Sequence, residues 1–180
     1  MVVAVVVVAV GLTLVLQHWR TSLDVVQVWG QSAVGPVDVG QTYYVDAGLG
    51  PVTDGSDDPP PSVAVTIDAV TAGADLLVTT PGTGTFTGTP LATVVCLRKP
   101  RTDGVGIATA DQLAASCSMV RPISAGETLD LGFTTVQVLY VVPITEPGTY
   151  QGFGIQVDYH QGLRQGTVRG AADLRLTATR

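Results

Sequence analysis

A chain of 180 residues with a formal net charge of −6, of which 46% are hydrophobic and 13% charged, has material for one domain with a real core and too little for two. Fifteen acidic residues stand against nine basic ones and Lys99 is the single lysine, so there is no basic stripe to neutralise phosphates and no nucleic-acid partner is expected. The 21 Gly, 11 Pro and abundant Val and Thr favour short strands joined by tight turns over long helices.

The first sixteen residues, Met1 to Leu16, are apolar apart from Gly11 and Thr13. A bilayer core takes about 20 such residues as a helix. Residues 1–19 are therefore expected to form a single transmembrane anchor, with Gln17, His18 and Trp19 in the far interface, where Trp is favoured. A cleaved signal peptide wants a basic leading region and a small-x-small cleavage site, and Gln17-His18-Trp19-Arg20 supplies neither. A buried strand or core helix is the remaining alternative. Arg20 on the far flank runs against the positive-inside rule, which a short basic leader ahead of Met1 would reconcile. The expected topology is a cell-membrane protein with residues 20–180 forming one extracytoplasmic domain.

Along that domain, Asp24 to Trp29 reads as a first strand and the surroundings of Tyr43-Tyr44-Val45 as a second. Residues 48–61 have the composition of an exposed loop, because Gly and the Pro run oppose both helix and ladder. Ser62 to Thr71 alternates, with Val63, Val65, Ile67 and Ala69 on one face and Ser62, Thr66 and Asp68 on the other. Leu76 to Val78 is followed by the Thr/Gly/Pro-rich stretch 79–90, whose glycines at 82–88 read as turns, and then by a strand from Ala92 to Leu97. Thr109-Ala-Asp-Gln112 is a capping-box signal, predicting a short helix from Ala110 to Cys117. Leu113 and Cys117, four apart, share the face that would rest on the sheet. The chain has two cysteines. In a cytosolic setting they would be free buried thiols, whereas outside a membrane the even count favours one Cys96–Cys117 disulfide.

The last third alternates most clearly. Leu129, Leu131 and Phe133 fall together, and the β-branched run Val136 to Val142 suits burial on both faces. Glu146-Pro-Gly-Thr-Tyr150 turns into a strand with Phe153, Ile155, Val157 and Tyr159 inward and Gly154, Gln156, Asp158 and His160 outward. A final strand over Ala172 to Ala178 puts Leu174 and Leu176 inward.

Short strands about ten residues apart, with Pro-Gly-x-Tyr leading into a late one, resemble an immunoglobulin-like β-sandwich over residues 62–179. The resemblance implies that Tyr150 hydrogen-bonds back to the chain upstream. Antibody-type domains carry a cysteine two residues later, where this chain has Gly152. The layout as a whole resembles the single-pass, membrane-anchored envelope proteins of actinobacteria, a likeness that implies location and no activity. Eight arginines against one lysine, with heavy use of Ala, Val and Gly, is the usage of a GC-rich bacterium.

No catalytic, cofactor or metal set is expected. His160 is the one histidine available as a base, since His18 lies at the membrane boundary. It shares a strand face with Asp158, but no Gly-x-Ser-x-Gly elbow accompanies it. Cys117, Met119 and His160 provide one each of the ligand types of a blue copper site, and a disulfide would remove the thiolate. Asp54, Asp57 and Asp58 lack the spacing of an EF-hand loop and read as a solvated acidic loop. Gly104-Val-Gly106 lacks the context of a phosphate or dinucleotide loop. Arg98, Lys99, Arg101 and Arg121 make one basic neighbourhood that an anionic envelope polymer would suit. The first functional expectation is a binding or scaffolding module, held to the membrane by its N-terminal helix and meeting an unidentified protein or polymer without catalysis. The alternative is an envelope enzyme or ligand carrier with a site on the 48–61 or 98–109 loops.

Overall fold

The computed structural model describes residues 11–17, 19, 23–29, 32–53, 61–80, 83–132 and 134–179. Residues 11–17 form a helix, α1. After it come β1 (Val26–Val28), β2 (Ser32–Asp38), β3 (Thr42–Asp46), β4 (Leu49–Pro51), β5 (Val63–Thr80), β6 (Thr83–Arg98), β7 (Ile107–Ala108), α2 (Ala110–Ser116), β8 (Cys117–Pro122), β9 (Glu127–Leu131), β10 (Val136–Pro143), β11 (Gly148–Gln161) and β12 (Arg164–Thr179). The protein is mainly β, as its Val/Thr/Gly-rich composition predicts.

The strands hydrogen-bond in the order β2-β12-β11-β5-β6-β10-β3-β7, with β9 added to β5, β8 added to β6, and β1–β4 as a separate ribbon. The path curls because β6 changes partner midway, pairing with β5 up to Leu91 and with β10 from Ala92. One layer, β2-β12-β11-β5-β9, thereby faces another, β8-β6-β10-β3-β7, across a shared core. Val65, Ile67, Phe153, Ile155 and Leu176 of the first layer meet Val45, Val95, Val138 and Tyr140 of the second. The Tyr140 and Phe153 rings lie 5.6 Å apart at its centre. Full burial of each such side chain contributes about 1.5–3 kcal/mol. On its other face the second layer packs a smaller core of Cys96, Val105, Ala108, Leu113, Cys117 and Leu139 beneath α2. This is why Val138, Leu139 and Tyr140 are all buried: β10 is covered on both sides.

Several sequence expectations are corrected. Of the spanning helix expected over residues 1–19, only residues 11–17 and Trp19 are among the described residues. Among the described residues no helix is long and apolar enough to cross a membrane. Met1 to Val10 and His18 lie outside the described residues. The glycines expected to mark turns at 82–88 lie largely within β6, whose antiparallel register with β5 runs from Thr80↔Thr83 to Ala72↔Leu91. The stretch 48–61 is not wholly loop, because Leu49–Pro51 pairs with β1. β2 was not expected from sequence. It carries Gly35 and Pro36 and lies parallel to β12 on the outside of the layer, the place where a sheet tolerates proline.

Two bulges explain the breaks in alternation. Ala69 is exposed although Val65 and Ile67 are buried, because the register slips between Asp158↔Ala69 and Tyr159↔Ile67, leaving Asp68 as the extra residue. Tyr150 and Phe153 are both buried three residues apart, because β11 slips between them against both neighbours. Gly152 sits in that slip at φ 68°, a left-handed conformation that glycine adopts without strain.

Candidate functional site

The Cys96–Cys117 disulfide is present, with Cα atoms 5.5 Å apart, and ties the end of α2 to β6. The helix forms as the capping signal predicts: the Gln112 side chain accepts from the Thr109 backbone N–H at 2.9 Å, and Leu113 points into the smaller core. The basic neighbourhood beside it is largely committed to structure. The Lys99 ammonium donates to the Ala114 carbonyl at 2.6 Å and its backbone N–H to the Ser116 carbonyl at 2.9 Å, serving the exposed carbonyls at the helix C-terminus, where positive charge is favoured. Arg98 donates to the Thr102 carbonyl, and Arg121 is paired with Glu127. That ion pair raises the Arg121 pKa and lowers that of Glu127. Arg101 is exposed, in a left-handed turn at φ 64°.

A broader polar surface lies on the outer face of β5, β11 and β12. Strand pairing sets Thr71, Gln156 and Arg169 in one row and Ala69, Asp158 and Thr167 in the next. Arg169 donates to the Gln156 side-chain oxygen at 2.8 Å, Gln156 donates to Asp158 at 3.3 Å, and Thr167 donates to Asp158 at 2.7 Å. His160 lies outward as strand parity predicts, but its partner is the bulge residue Asp68, at 2.8 Å from Nδ1 to Oδ1. Asp158, expected beside it, belongs instead to the Gln156–Thr167 network. Asp68 and His160 line a recess of about 390 Å³ with Gly162, Leu163 and Gln165. Along the same face, Gly73, Gly152, Gly154 and Gly170 floor a shallow depression of about 470 Å³ edged by Arg169.

The chain matches no protein-family model and no curated protein. Its chemistry therefore has to be read from the residues themselves.

Cys117 is bonded to Cys96, and Met119 lies exposed on β8, so neither joins His160 as a copper ligand. Among the described residues no three His, Cys, Asp or Glu side chains gather into a metal-binding group. Asp54, Asp57 and Asp58 lie outside the described residues. Sequence reading passed over Asp46, at the end of β3. Its carboxylate accepts from the Gly48 backbone N–H at 3.0 Å and from the Gln137 side chain at 3.1 Å, while Gln137 in turn accepts from the Val105 N–H at 2.9 Å. Burial pushes the Asp46 pKa up, against these hydrogen bonds and the Arg98 charge. The crevice beside it, about 40 Å³, has room for water-sized guests and nothing larger. This network joins β3, β10 and the loop ahead of β7, and its role is structural.

Proposed function

We propose that the protein is a membrane-tethered binding or scaffolding module of a bacterial envelope, with an immunoglobulin-like domain presenting the outer β5–β11–β12 face to a protein or polymer partner. The observation that carries the tether is α1: Leu12, Leu14, Val15 and Leu16 are 62%, 60%, 66% and 52% exposed. At 100° per residue these four spread over one arc of about 200°, with Thr13 and Gln17 on the opposite side, and so broad an apolar face left exposed by the domain calls for an apolar surrounding. The disulfide suits an oxidising, extracytoplasmic compartment. The immunoglobulin-like reading is supported by Tyr150, whose hydroxyl donates to the Glu146 carbonyl at 3.3 Å, a bond back to the chain upstream of the kind the resemblance implies. The binding face is supported by its polar rows, already ordered by mutual hydrogen bonds and so presented at low entropic cost.

Alkaline carbonate extraction of native membranes, combined with a photo-crosslinking residue at Gln156, tests the proposal. Retention in the membrane, with adducts from Gln156 and none from an equivalent label at Met119 on the opposite layer, is expected. Extraction by carbonate, or equal labelling from both layers, would overturn it. One observation favours a second reading, that of a small-ligand carrier: the bulge aims Asp68 at His160 inside a recess. Ligand-dependent shifts of the His160 imidazole signals in NMR, lost in Asp68→Asn, would give that reading priority.

A further inference from the structure

We propose that the β11–β12 turn is a second membrane contact, with Leu163 inserted into the outer leaflet and Arg164 at the level of the lipid phosphates. The inference rests on the tether reading of α1 and adds an interface to it. Gln161 pairs with Arg164 across the two-residue turn Gly162-Leu163, and Gly162 at φ 60° is the glycine such a turn needs. The turn is therefore short and fixed, and it holds Leu163 out at 69% exposure, the largest value among the exposed large apolar side chains of the described residues. Next to it, the Arg164 guanidinium lies 5.6 Å from the centre of the Trp19 ring. Trp19, itself helical and 49% exposed, lies two residues beyond the end of α1.

The chain leaving the helix is seated at this same end of the sheet. The Leu23 N–H donates to the Gln165 carbonyl at 3.1 Å, and the Tyr159 hydroxyl donates to the Leu23 carbonyl at 3.1 Å. A Cβ at Gly166 would come within 2.4 Å of the Leu23 carbonyl oxygen and 2.6 Å of the Tyr159 ring, so that glycine is what admits the segment. Four residues further along β12, Gly170 admits Val28 in the same way, its absent Cβ standing 2.3 Å from the Val28 side chain. The plane that receives the end of α1 must then also receive the turn. An apolar tip, an arginine with an aliphatic stem and a tryptophan form the residue set that water–lipid interfaces favour.

The test uses the full chain in vesicles of phosphatidylcholine and phosphatidylglycerol, with an environment-sensitive dye at Leu163→Cys or at Thr177→Cys and the native disulfide left oxidised. Thr177 lies roughly 40 Å from the turn along β12, at about 3.3 Å per residue. The expected result is blue-shifted emission, quenched by nitroxide lipids, at position 163 and water-like emission at 177. Water-like emission at both positions from a chain that still resists carbonate would overturn the membrane contact and leave the tether standing. Release of the chain by carbonate would overturn both.

Discussion

Replacing His160 by Ala removes one side of a partly exposed hydrogen-bonded pair with Asp68, and exposed polar pairs of this kind contribute about 0–1 kcal/mol. Urea denaturation of His160→Ala should therefore shift stability by less than about 1 kcal/mol, and a larger loss would show that the recess is a structural keystone. Asp46 differs because its carboxyl is pushed up by burial. Folding then favours the protonated form, so the stability this group contributes is fully present below its unfolded value of about 3.9 and is lost as pH rises through the raised folded value. In parallel denaturation series from pH 3 to 7, the stability of the native protein minus that of Asp46→Asn should fall as pH rises. A difference that grows with pH would show that the hydrogen bonds from Gly48 and Gln137 outweigh burial.

The short helix α2 holds its place through two attachments that sequence alone could suggest, the capping residues and the cysteine pair. Changing Cys96 and Cys117 together to Ser should cost about 3 kcal/mol on the loop-entropy account, with the sheet signature in far-UV circular dichroism retained. Loss of the β signal in that variant would mean that the second core depends on the bridge to fold at all. Both attachments were legible because they are local or countable: a Thr-x-x-Gln spacing, and an even number of cysteines. β9, β11 and β12 were legible for a similar reason, since Leu129 with Leu131, Phe153 through Tyr159, and Leu174 with Leu176 each keep one phase toward one core. β2 and the first half of β6 were not, because Gly, Pro and Thr at 35–36 and 82–90 carry turn signals that only the neighbouring strands override. The Asp68–His160 pair was illegible for a sharper reason. It depends on a one-residue bulge in a pairing between segments more than ninety positions apart, and no periodicity within either segment encodes that register.

At the scale of the whole molecule, the direction of the β2–β12 pairing has a mechanical consequence. β2 runs parallel to β12, from Ser32↔Asp173 to Asp38↔Thr179, so the N-terminal end of β2 lies toward the Arg164 end of β12. A pull entering through the N-terminal segment, opposed by a partner held on the outer face, is directed along the strand axis. It strains all seven paired positions at once, as a lap joint in shear, whereas a pull across the strands would open them one after another. Single-molecule stretching between the N- and C-termini should accordingly need several-fold more force than stretching between Gly40 and the C-terminus, two points at the same end of the pair. Equal forces in the two geometries would refute the idea. Under the proposed tether, a domain connected in this way would resist detachment most strongly in the direction in which a surface-bound partner would tug it.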